Sequence, residues 1–168
     1  MLRRLRQTAP SALVPLAWGF VTAAHLDLVS LHAVVVSHIV MCVVLLAFTV
    51  LSWSEMCSGV LFVWKLVLLI GFAITAFGLV GLTTGVHELL PITVVGWMLV
   101  PGVALAYTGR AGALGPEIYY AGAALSLLGA LSYLVGLLVA SDPWLLAGLL
   151  LVGVGQTAGI ANAVYREA

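Results

Sequence analysis

The sequence predicts an all-α integral membrane protein, a bundle of about six transmembrane helices, with five as the alternative count. Three observations carry this. Of 168 residues, 64% are hydrophobic and 7% charged, with a mean hydropathy of +1.25, whereas soluble domains run about 25% charged. The apolar residues come in long runs broken only at His25–His32, Ser52–Gly59, Thr83–Pro91, Thr108–Glu117 and Ser141–Pro143. The basic residues fall at alternate breaks. A span needs roughly 20 residues to cross a hydrocarbon core of about 30 Å. Residues 1–168 are therefore one transmembrane domain, with no room for a soluble catalytic domain.

The elements follow from the breaks. Arg3, Arg4 and Arg6, half of the six Lys and Arg residues, precede the first apolar segment and mark a cytoplasmic N-terminus by the positive-inside rule. A signal peptide is the alternative reading, with Ser11–Ala24 as its apolar core, but its cleavage would remove a segment the topology uses. The run Ser11–Trp53 is 43 residues long, too long for one crossing, and its only polar place to turn is His25–His32. Span 1 is thus about 11–26, with Pro15 and Gly19 tilting or kinking it, and span 2 about 31–53. Ser52 and Glu55 have capping-box spacing for the next helix. Span 3 covers about 59–82, with Trp64 and Lys65 near its start as an interfacial ring and a snorkelling ammonium. Pro91 suits the first turn of span 4, about 91–107. Span 5 is about 117–140. Asp142-Pro143 then opens span 6, about 143–164.

Six spans place both termini in the cytoplasm, with Arg3, Arg4, Arg6, Lys65, Arg110 and Arg166 all on that side. The same count puts His25, Asp27, His32, His87, Glu88 and Asp142 on the extracytoplasmic side. The expected location is the plasma membrane, in multi-pass form. Formal net charge is zero, which gives no ground for a nucleic-acid partner; the expected surroundings are the lipid bilayer, other membrane subunits or a homo-oligomer. Gly122, Gly129 and Gly136 on span 5 and the Gly155/Gly159 pair on span 6 predict a close helix crossing, and Gly78, Gly81 and Gly85 predict the same for span 3. Gln156, Thr157 and Asn162 are expected to hydrogen-bond between helices. Cys42 and Cys57 lack metal or redox spacing and read as free thiols.

The histidines are the candidate functional residues. His38 lies about 9 Å deeper along span 2 than His32, at a rise of 1.5 Å per residue, and an ionisable group at that depth is a functional candidate by default. Neutral imidazole is the commonest protein metal ligand, and bis-histidine haem sites form between membrane helices. Hence His25, His32, His38 and His87 are candidate ligands for haem b or a transition metal, with Asp27 and Glu88 orienting the rings. The plainer alternative makes His25, His32 and His87 wet interfacial residues and His38 a helix-packing group. A third use is a proton or cation entry site in a small transporter or channel, for which no continuous inward path is visible. HExxH, GxSxG, Walker and CxxC signatures are absent.

Two fragments, Ala24-His25-Leu26-Asp27-Leu28 and Gly78-Leu79-Val80-Gly81-Leu82 through His87-Glu88-Leu89-Leu90-Pro91, resemble small membrane proteins related to the haem–copper oxidase large subunit. In that group the two pieces share one helix, whereas here they lie on spans 1 and 3. The resemblance implies a haem b or quinone-linked role with His25 and His87 as ligands. The functional expectation is therefore a membrane redox protein or respiratory-type subunit. A small transporter or channel, or a structural subunit docking partner helices, is the alternative.

Overall fold

A computed structural model describes residues 2–166, with side chains from residue 12 onward. It contains six helices: α1 Leu2–His25, α2 Leu31–Leu51, α3 Gly59–Thr84, α4 Leu89–Arg110, α5 Pro116–Val139 and α6 Asp142–Arg166. Helices α2 to α6 are each long and apolar enough to cross a membrane, and in α1 the apolar stretch is Ala12–His25. The chain is thus an all-helical, multi-pass membrane protein. The expected boundaries agree closely except at α1, which is helical from Leu2 where the span was expected from Ser11. The Arg3, Arg4 and Arg6 side chains and the last two residues, Glu167 and Ala168, lie outside the described ones.

Helices α1 and α2, consecutive in the chain, lie at opposite ends of the packing order. That order is α2–α3–α4–α5–α6–α1, each helix packed on the next. The central crossing is α5 on α6, and glycine makes it possible. A Cβ on Gly122 would stand 2.6 Å from the Gly155 carbonyl oxygen, and one on Gly129 would stand 2.6 Å from that of Gly148. The two backbones therefore touch at two places one heptad apart, close approach being what small residues permit between membrane helices. Two expected contacts change. The nearest neighbours of a Cβ added to Gly159 are atoms of Leu105 on α4, and Gly148 joins Gly155 in meeting the α5 backbone. Gly85 does not pack a helix; with φ +76° it is the left-handed cap of α3.

The turns show why each helix stops. The Leu28 N–H reaches the Ala23 carbonyl and the Asp27 N–H that of Ala24, while Asp27 adopts φ 55°. This is a Schellman end with an aspartate in the left-handed position that short polar residues tolerate. Ser30 then caps α2, its hydroxyl accepting from the Ala33 N–H at 3.2 Å. Ser52 does not open α3 as its capping-box spacing predicts. It closes α2, with its N–H directed to the Phe48 and Val50 carbonyls, and α3 begins only after Ser58. Ala140 ends α5 at φ 49°, and the Ser141 N–H bonds the Gly136 carbonyl at 2.9 Å. A Cβ in that conformation is strained by roughly 1–2 kcal/mol. Ala140→Gly is accordingly expected to raise stability by about 0.5–1 kcal/mol, measured by unfolding in mixed detergent–SDS micelles; an unchanged or lower midpoint would contradict the strain.

Helix α4 carries a proline, Pro101, in its interior. Proline has no N–H, so the Trp97 carbonyl four residues earlier loses its intrahelical donor, a costly state away from water. Gln156 on α6 supplies a replacement. Its Nε2 donates to the Trp97 and Met98 carbonyls, each at 3.1 Å. Its Oε1 accepts from the Trp18 indole N–H of α1 at 3.0 Å. One buried amide thereby ties α1, α4 and α6, at the edge of a core of Trp18, Met98, Ala130, Tyr133, Leu149 and Val152. The helix-packing role expected of Gln156 is the one observed. Asn162 also bonds across helices, donating to the Leu114 carbonyl at 2.8 Å. Thr157 departs from the expectation: its buried hydroxyl has no partner among the described residues.

Candidate functional site

The alternating helices bring the turns at 26–30, 85–88 and 140–141 to one end of the bundle and those at 52–58 and 111–115 to the other. Asp27, His32, His87, Glu88 and Asp142 are exposed at the first end. Lys65, Arg110 and Arg166 belong to the second end, together with the carboxylates Glu55 and Glu117. Lys65 is buried, and its Nζ lies 4.5 Å from the Trp53 ring centroid and 5.5 Å from that of Phe62. Its ammonium thus reaches back along α3 to aromatic faces at the helix end, a cation–π arrangement. Trp64, beside it in sequence, donates from its indole to Thr108 Oγ1 at 3.1 Å.

The four histidines are not gathered into one group. Among the described residues, no group of three or more His, Cys, Asp or Glu side chains is placed to hold a metal ion. His32 and His87 are solvent- or headgroup-facing at the bundle end, as are Asp27 and Glu88. Asp27 has a local structural reason to be there, as the left-handed cap of α1.

His25 and His38 are different. Both are half-buried, and each ring is fixed by its own helix: His25 Nδ1 lies 2.8 Å from the Val21 carbonyl and His38 Nδ1 2.9 Å from the Val34 carbonyl. A carbonyl oxygen only accepts, so each Nδ1 carries the proton. In the neutral ring the lone pair is then on Nε2. For His25 that lone pair is occupied, because Nε2 lies 2.9 Å from the hydroxyl of buried Tyr133 on α5, which must donate. The rings meet edge to face at 5.6 Å. His25 is therefore a tie between α1 and α5.

His38 Nε2 instead faces α3. A Cβ on Gly78 would stand 3.1 Å from this nitrogen and 2.9 Å from Thr93 Oγ1 of α4. Gly78 therefore lets an imidazole on α2 and a hydroxyl on α4 converge on the same point of α3. The Thr93 hydroxyl proton is directed to the Leu89 carbonyl at 3.0 Å and the Ile74 carbonyl at 3.3 Å. Of the expected site residues, His38 alone combines membrane depth, a fixed tautomer and an Nε2 directed at a neighbouring helix. Tyr133 and Thr93 enter the site only through the tertiary structure.

Set against family models, curated proteins and solved structures, the chain matches none.

Proposed function

We propose that this is a membrane redox protein or respiratory-type subunit in which His38 supplies an imidazole to a haem b iron or a transition metal within the bilayer. The observation that carries this is the His38 Nδ1–H bond to Val34 at 2.9 Å. Such a bond to the distal nitrogen is what orients a ligating imidazole and raises its basicity. Haem asks little of the chain, one or two imidazoles, so it is compatible with histidines that stand apart. The likeness of the His25 and His87 segments to haem-bearing proteins points the same way, although His25 would have to release Tyr133 to ligate. Lys65, Arg110, Arg166 and the N-terminal arginines favour cytoplasmic termini by the positive-inside rule, and the plasma membrane is the proposed location.

The test is an absorption spectrum of the purified protein, oxidised and then dithionite-reduced. Soret and sharpened α/β bands are expected, and they should be lost in His38→Ala and retained in His32→Ala. A colourless, metal-free preparation would overturn the reading.

A second reading, a structural subunit that docks other membrane helices, draws support from α2. Its only fully buried residues are Leu45 and Thr49, and Ile39, Val43, Leu46 and Val50 are exposed. It predicts no chromophore and a partner subunit lost on harsh but not mild detergent extraction.

A further inference from the structure

The end of the bundle that carries the basic residues holds a cation without a counter-charge. Lys65 is 7% exposed, and its ammonium, which has three N–H donors, makes no hydrogen bond or ion pair among the described residues. It meets the ring faces of Trp53 and Phe62, at 4.5 and 5.5 Å from their centroids, and neither ring accepts those protons as an anion does. Glu55, the carboxylate of the adjoining turn, is itself engaged. Buried charges are ordinarily paired. Among the described residues the Thr157 hydroxyl alone is both sealed and unpartnered, so the Lys65 ammonium keeps an opening to the outside.

The N-terminus of α3 lies beside that opening. A helical side chain leans toward the N-terminal end, and Phe62, one of the two rings Lys65 touches, sits in the first turn. Ser58, at the N-cap position, makes no side-chain bond to the helix, and nothing lies within 4 Å of a Cβ added to Gly59. The first N–H groups of α3 are therefore uncapped at the positive end of the helix dipole, an arrangement that suits an anion. We propose that this corner binds the phosphate of an anionic phospholipid, with the Lys65 ammonium as its counter-charge and the α3 N-terminus as its second anchor. On the proposed topology the lipid belongs to the cytoplasmic leaflet. The surroundings select a lipid over a free phosphate, because Trp53, Leu61, Phe62 and Leu66 are exposed around the corner and offer acyl chains an apolar flank. A net negative headgroup is favoured over a choline headgroup, which carries its own cation. The site stands independently of His38.

Purified full-length protein in detergent is titrated with phosphatidylglycerol and with phosphatidylcholine of the same chains, and binding is read by native mass spectrometry. The first phosphatidylglycerol is expected to bind about fivefold tighter, the contribution of one ammonium near an anionic surface. Lys65→Met, which keeps the apolar stem, should lose the preference, while Lys65→Arg, Arg110→Gln and Arg166→Gln should keep it. A preference unchanged in Lys65→Met, or lost equally in Arg110→Gln, would overturn the site. Millimolar inorganic phosphate should leave the lipid bound; displacement would make the occupant a free anion and refute the lipid. A second measurement needs only the wild type to fold: phosphatidylglycerol with brominated chains should quench tryptophan fluorescence more than brominated phosphatidylcholine, and Trp53→Phe should remove the difference. Equal quenching by the two lipids refutes the proposal.

Discussion

Gln156→Leu is expected to destabilise the protein by about 2–4 kcal/mol, although it replaces an amide by an apolar side chain of similar size inside an apolar core. Interhelical hydrogen bonds in membranes average only about 0.6 kcal/mol each, so the lost bonds alone would give less. The larger part comes from what is left behind. The Trp18 indole N–H loses the acceptor it holds at 3.0 Å, and the Trp97 carbonyl, which Pro101 cannot serve, loses the donor it holds at 3.1 Å. A buried polar group stranded in this way costs roughly 1–3 kcal/mol. A double-mutant cycle isolates the cause. Pro101→Ala restores an N–H to the Trp97 carbonyl, so Gln156→Leu should be milder in that background by about 1 kcal/mol, read from unfolding midpoints in mixed micelles. Simple additivity would mean that Gln156 does not compensate the proline.

The second large effect is expected at the α5–α6 crossing. Gly122→Ala and Gly129→Ala each put a methyl group 2.6 Å from a facing backbone carbonyl oxygen. A backbone cannot swing aside as a side chain does, so the helices must separate and lose packing along their whole contact. Overpacking of this kind costs about 1–3 kcal/mol, and both substitutions together should prevent stable folding in detergent. Gly19→Ala on α1 is the control: nothing lies within 4 Å of its added Cβ, and alanine should gain about 0.5–1 kcal/mol there from helix propensity. Equal effects at all three positions would show that propensity, and not the crossing, decides.

The helix-packing residues were legible in the sequence more than the site was, and particular residues show where legibility ends. His38 stood out because an imidazole in the middle of an apolar run is costly unless it faces protein, cofactor or water, and it does face α3. Asp27 resembled a functional carboxylate because sequence does not reveal a positive φ; the left-handed turn that explains it appears only when α1 is seen to end. Ser52 had the spacing of a helix start and became a helix stop, since a short turn lets one serine serve either neighbour.

The sequence by itself determined the number of helices, their approximate bounds and the separation of basic residues from the histidine-bearing end. Hydrophobic run length and polar breaks are local properties, and a bilayer of fixed thickness converts them directly into spans. Only the tertiary structure decided which helix meets which: that α1 lies on α6, that Tyr133 takes the His25 lone pair, that Gly148 meets the α5 backbone, and that Gly78 receives His38. The physical reason is that helices apolar on every side carry no stripe pointing to a partner. Their order is set by where glycines allow backbones to touch and where buried polar groups such as Gln156 find partners, and both depend on residues far apart in the chain.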